Sequence, residues 1–358
     1  MDRHGVGQLV VYGAGRAPDV QYLSNWPGTR EAYLLLARHD EPTLLVQFNN
    51  HVPNAARTSA VTDVRWAGNG SEAVVEAIRD RAVGGLRLGI VGAIPWSVAQ
   101  RIRARVPGIE LVDLTSELRA LRSIASAEEL AMLREAARIT DLAMEALERE
   151  VHPGLRENEL AGIVEIAIAR GGGTPGIHFM STTSMRAPEI GVPAQIQSSR
   201  VIEKGDVLIT EITAHHWGYG GQIHRAYAIG AQPTDDYRRI HEAAVETYER
   251  ICAVLRDGAT VGDVLDAAEI AHERGYTTYD DLLHGTDQLP PILQTRRTAR
   301  GPQPEDFTFR QDMVVVVQPN LVRDGSGRMG VQVGETVRVT REGTERLHRY
   351  PMTFVRCG

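Results

Sequence analysis

The chain has 358 residues, 42% hydrophobic and 24% charged, with a formal net charge of −7. That length suffices for two domains with separate cores, and the acidic balance argues against the basic face of a dedicated nucleic-acid binder. No apolar run approaches the ~20 residues that span a bilayer, and the first residues carry no cleavable export pattern. Cys252 and Cys357 therefore read as free thiols in a reducing cytoplasm rather than as a disulfide.

From the N-terminus to about residue 120, short apolar runs alternate with helical stretches. Residues 32–37 and 43–47 read as a hairpin around His39-Asp40-Glu41-Pro42. Residues 71–82 and 95–106 have helical spacing, while 86–91 and 109–114 read as strands. The alternation predicts an α/β domain over residues 1–122. The second domain, 123–358, opens at Ser126-Ala127-Glu128-Glu129, a capping box for a helix running to about Glu150. There the Ser hydroxyl accepts a backbone N–H and the Glu side chain reaches back. His152-Pro153-Gly154 ends that helix, a second spans 157–169, and the glycines at 171–173 close it. The pattern recurs as a helix over 235–255, Asp257-Gly258, a cap at Thr260 and a stop at Gly275. One offset relates Gly154 to Gly258, Glu159 to Asp263 and Arg170-Gly171 to Arg274-Gly275, as an internal duplication would.

Between the two helix pairs, residues 204–225 read as a turn, a buried strand, a glycine-rich bend and a second strand. This segment resembles the one that carries the first two metal-binding aspartates in the creatinase/aminopeptidase P-like family, the pita-bread enzymes of peptidase family M24. Four further stretches resemble the family in the right order: residues 19–25, Leu283-His284-Gly285, the strand ending in Gln318-Pro319, and residues 331–340 followed by Glu342-Gly343 and Leu347. The resemblance covers nearly the whole chain. It implies an α/β N-terminal domain, an α+β pita-bread C-terminal domain with a pseudo-twofold internal repeat, and a homodimer.

In metal-dependent members two Asp, one His and two Glu hold two divalent cations. Matched residue by residue, the positions here are Glu211, Gln222, His284, Gln318 and Gly334. Glu335 lies next to the last, and a one-residue slip along a strand turns a side chain to the other face unless a bulge intervenes. Hard or borderline cations favour carboxylate and imidazole over neutral amides. The expectation is that no dinuclear metal binds and no cofactor is used, with a single weak zinc on Glu211 and His284 left open.

The substituted residues remain polar, so burying them unpaired is costly and a small-molecule substrate is expected among them. Creatinase, a metal-free member, suggests Glu211 and His284 as proton carriers, the first through a pKa raised by burial and the second as an imidazole. His224, two residues beyond Gln222 on one strand face, is a third catalytic candidate. Gln222 and Gln318, each donor and acceptor, are substrate-binding candidates with Tyr219, His178 and Glu335. His178 is placed ahead of a polar loop at 181–184, and His215 and His216 beside the bend at Trp217-Gly218-Tyr219. Arg225 is expected in a structural ion pair. The predicted function is a metal-independent, creatinase-like enzyme that cleaves a small nitrogen-containing metabolite by C–N hydrolysis or elimination. A non-catalytic binding protein on the same scaffold is the alternative. An Xaa-Pro metallopeptidase is ranked last, because Pro290-Pro291 shortens the loop after His284.

Overall fold

The computed structural model describes residues 1–28, 30–68, 71–81, 87–323 and 327–358, and the chain divides into two units, Met1–Leu121 and Arg122–Gly358. In the first, the order is β1 (Gln8–Gly13), α1 (Pro18–Ser24), β2 (Ala32–Ala37), β3 (Thr43–Val46), α2 (Val52–Thr58), β4 (Asp63–Trp66), α3 (Glu72–Arg81), β5 (Arg87–Val91), α4 (Trp96–Arg105), β6 (Glu110–Asp113) and α5 (Thr115–Arg122). The strands lie β4-β3-β2-β1-β5-β6. The pairs β1–β2 and β2–β3 are antiparallel, the others parallel. Apolar residues line both faces, as a sheet covered on both sides requires. Val11, Leu34 and Leu44 pack with Val20, Ala55 and Leu118 of α1, α2 and α5, and Val10, Tyr33 and Leu45 with Val74, Ile78, Val98 and Ile102 of α3 and α4. The expected helix over 71–82 and strand over 86–91 are α3 and β5; residues 82 and 86 lie outside the described residues.

The second unit opens with α6 (Ala127–Glu150). Ser126 Oγ accepts from Glu129 N at 3.2 Å, and Glu129 Oε2 accepts from Ser126 N at 2.8 Å. There follow α7 (Glu157–Arg170), β7 (Thr174–Ser184), β8 (Asp206–His216), β9 (Tyr219–Ile229), α8 (Asp235–Val254), α9 (Val261–Ala268) and α10 (Ile270–Glu273). The chain ends with β10 (Tyr276–Thr278), β11 (Leu283–Gly285), β12 (Ile292–Leu293), β13 (Val314–Val317), β14 (Leu321–Arg323), β15 (Gly334–Val339), β16 (Thr344–Arg346) and β17 (Val355–Cys357). Thr260 and Asp263 repeat the capping box at α9. The main sheet runs β12-β11-β13-β15-β9-β8-β7, with β16 on β15 and β17 on β9. Helices α6 and α7 pack Ile139, Leu147, Leu160 and Ile168 against Leu208, Ile212, Ile223 and Tyr227. Helices α8 and α9 pack Ile240, Ile251, Val264 and Leu265 in a cluster with Val315, Val317, Val337 and Val339. Two expectations need correction: His178 and residues 181–184 are not at a loop but inside β7, where Ser and Thr suit the pleated surface. Among the described residues, no helix is long and apolar enough to cross a membrane.

Candidate active site

Register and alternation collect the central side chains on one face of the curled sheet. Glu211 of β8 lies opposite His224 of β9, and Thr213 opposite Gln222. His224 is paired with Gly334, Thr336 with Val316, and Val316 with His284. Gln318 stands two residues beyond Val316, and side chains two apart share a face. Five sequence candidates, Glu211, Gln222, His224, His284 and Gln318, therefore converge.

Gln222 sits between two of them. Its Nε2 donates to Glu211 Oε1 at 2.9 Å and to His224 Nε2 at 3.1 Å. His224 Nδ1 in turn donates to Gln332 Oε1 at 3.3 Å. The ring is fully buried, which pushes its pKa down to about 3, so it is a neutral imidazole with its proton on Nδ1. His284 differs. Its Nδ1 meets Gly285 O at 2.8 Å and its Nε2 meets Gln318 Oε1 at 3.1 Å, while Gln318 Nε2 donates to Asp281 O at 3.0 Å. Two carbonyl acceptors suit a doubly protonated ring, whereas burial lowers its pKa.

Asp280 is the residue that sequence reasoning missed. Its Oδ2 accepts from Asn320 Nδ2 at 3.0 Å, and its buried Oδ1 has no partner among the described residues. Burial raises the carboxyl to about 7, against the lowering effect of Asn320. Burial, then the charge of Asp280, likewise raises Glu211 to about 7. The available signal is nearness alone: Asp280 precedes His284 by four residues, in the bend that leads into β11. Gln332 Nε2 and Thr213 Oγ1 are further buried atoms without a partner among the described residues.

Three candidates lie elsewhere. Glu335, taken as substrate-binding, pairs with Ile223 and Val317 and faces away from Gly334 and His224, because β15 has no bulge there. Its carboxylate binds Arg225 and Arg346 and accepts from Tyr248. Burial alone would raise its pKa, but the hydrogen bond from Arg346 and the charge of Arg225 leave it lowered. Arg225 is thus the structural ion-pair residue expected. His178 is opposite Ile212, hence on the face away from Glu211, with its Nε2 3.4 Å from Glu165. Tyr219, three residues before Gln222, faces the other way and donates to Glu129 Oε1 at 3.3 Å.

The five positions matched to metal ligands offer one carboxylate, one imidazole and two amides. A Cβ at Gly334 would lie 2.4 Å from Val317 O, so that position is closed to any side chain. Among the described residues, no group of three or more His, Cys, Asp and Glu side chains is placed to hold a metal. Gln222 turns amide hydrogens, not lone pairs, toward Glu211 and His224. These side chains do not fit the two-cation centre of the metal-dependent enzymes, whose charge calls for several carboxylates.

Residues 131–341 match the model of metallopeptidase family M24, and residues 1–124 match the creatinase/prolidase N-terminal domain. The chain belongs to family M24, and with it to the hydrolases. An uncharacterized hydrolase/peptidase of Sinorhizobium fredii is 26% identical over 98% of this chain and 92% of its own. The Xaa-Pro dipeptidase of Pyrococcus furiosus is 27% identical over 73% of each. Among solved structures, the prolidase of Pyrococcus horikoshii superposes with a TM-score of 0.82 at 22% identity, covering 98% of this chain and 96% of that one; this likeness shows the pita-bread fold. These relatives overturn the expectation of a metal-independent, creatinase-like enzyme for a small metabolite. The option they support is the one ranked last from sequence, and they lend no support to independence from metal.

Proposed function

We propose that this chain hydrolyses the amide bond of a short peptide, with Xaa-Pro dipeptides as the first class to test. Membership of a peptidase family and the name of the Pyrococcus furiosus relative support the substrate class. The observation that carries the proposal is the pair of half-buried carboxyls, Glu211 and Asp280, each raised to about 7 by desolvation. Two such groups hold one acid and one base near neutral pH. Amide hydrolysis needs both, a base to take a proton from water and an acid to give one to the leaving nitrogen. In this reading Glu211, oriented by Gln222, is the proton carrier nearest the substrate. Gln318, itself held by His284 and Asp281, offers hydrogen bonds to the amide.

The test is a panel of Xaa-Pro and other dipeptides assayed with purified protein, chelated and Mn²⁺-supplemented. Turnover of at least one dipeptide is expected, with Glu211→Gln lowering kcat by about 100-fold or more while circular dichroism is unchanged. Absence of turnover under both conditions, or a Glu211→Gln variant as fast as the parent, overturns the proposal.

A further inference from the structure

The turn that follows His284 carries backbone conformations that its sequence does not favour. Asp287 and Gln288 both have left-handed φ, 54° and 60°, and neither is glycine. Left-handed backbone is unfavourable for a non-glycine residue, somewhat less so for Asp, and persists where surrounding contacts over-determine it. The contact here is specific. Asp287 Oδ1 lies 3.1 Å from His215 Nε2, at the end of β8. Two glycines make room for it: a Cβ on Gly220 would come within 3.0 Å of Asp287 Oδ1, and one on Gly176 within 2.3 Å of the His215 ring. Just beyond His215, Trp217 is also left-handed, with φ 49°.

The position of this contact gives it a role. His215 is four residues beyond Glu211 on the same strand, and Gly220 two residues before Gln222 on the next. Asp287 belongs to the turn whose backbone is closed by Gly285 N donating to Leu289 O at 2.8 Å and Leu289 N donating to Thr286 O at 3.1 Å. The first carbonyl of that turn, Gly285 O, holds the His284 ring. In the sheet, β11 is separated from β8 by β13, β15 and β9, so the side-chain contact joins strands the ladder keeps apart. We infer that the His215–Asp287 pair is a clasp across the mouth of the curled sheet. It fixes the spacing between Glu211 and Gln222 on one side and His284 and Gln318 on the other. Both are positioning residues. The kinetic consequence rests on the hydrolase reading; the structural one does not.

The test uses Asp287→Gly, which keeps the left-handed backbone without strain and removes the clasp, and Asp287→Asn, which keeps a hydrogen-bonding oxygen. His215→Gln and the Asp287→Gly/His215→Gln double variant complete a cycle. In unliganded, ¹⁵N-histidine-labelled protein, the His284 ring signals are expected to move in Asp287→Gly and His215→Gln and to stay in place in Asp287→Asn. With a dipeptide that is turned over, Asp287→Gly should lower kcat/KM by about tenfold or more, shared between KM and kcat, as expected for misplaced groups. Asp287→Asn should stay within about threefold and the double variant should lose no more than either single one. Unchanged His284 signals in folded Asp287→Gly and His215→Gln overturn the clasp, whatever the kinetics. If no dipeptide is turned over, the hydrolase reading fails, and the ring signals alone decide.

Discussion

The two faces of the curled sheet treat a carboxyl in opposite ways. On one face Glu335 is fully buried between Arg225 and Arg346, and its pKa is lowered. On the other, Glu211 meets among the described residues only the amide of Gln222, faces the charge of Asp280, and is raised to about 7. A carboxylate already neutralised by guanidinium groups is a structural element. A carboxyl left without a cation is held at a cost, and perturbed groups of this kind gather where chemistry is done. The family resemblance draws attention to both residues; their surroundings separate them.

The largest expected effect breaks the structural half of that contrast. Glu335→Gln strands the Arg225 guanidinium, itself fully buried, among the carbonyls of Pro351, His224, Gly334 and Tyr350. Removing one partner of a buried pair costs about 3–5 kcal/mol, which urea denaturation would read directly. A loss under about 1 kcal/mol would place Glu335 with exposed ion pairs instead. A smaller effect sharpens the other half. Gln222→Glu removes the donor between Glu211 and His224 and adds a like charge. It should cost about 2–3 kcal/mol near pH 8. Near pH 4.5 most of that cost should vanish, because the added carboxyl is protonated there.

How much of this was legible in the sequence depended on range. The capping boxes at Ser126 and Thr260 are local, written in four residues each, and both are formed. Strand alternation put Gln222 and His224 on one face, as observed. The same rule left Glu335 open, since one bulge would have reversed it, and only the ladder from Val317 through Glu335 to Ile223 settles its side. Asp280 lies outside the stretches that resemble the family, and nothing local to Tyr279-Asp280-Asp281 marks it. Its hydrogen-bond partner is Asn320, forty residues later. The His215–Asp287 clasp was equally hidden: it joins residues 72 apart, through a turn whose left-handed positions carry no glycine to announce them.

The central claim is that Glu211 is an uncompensated carboxyl kept for function, and the pH dependence of stability tests it. A carboxyl raised from the ordinary 4.5 to about 7 in the folded state contributes fully below the unfolded pKa and loses its contribution as pH rises through the folded one. Urea denaturation of the parent and of Glu211→Gln, from pH ~4 to ~8.5, reads this directly. The two should be equally stable near pH 4, and the parent should fall behind as pH rises, until Glu211→Gln is ahead by about 3 kcal/mol above pH ~7. Parallel curves, or a Glu211→Gln variant less stable at every pH, would make Glu211 a structural carboxylate like Glu335 and contradict the account.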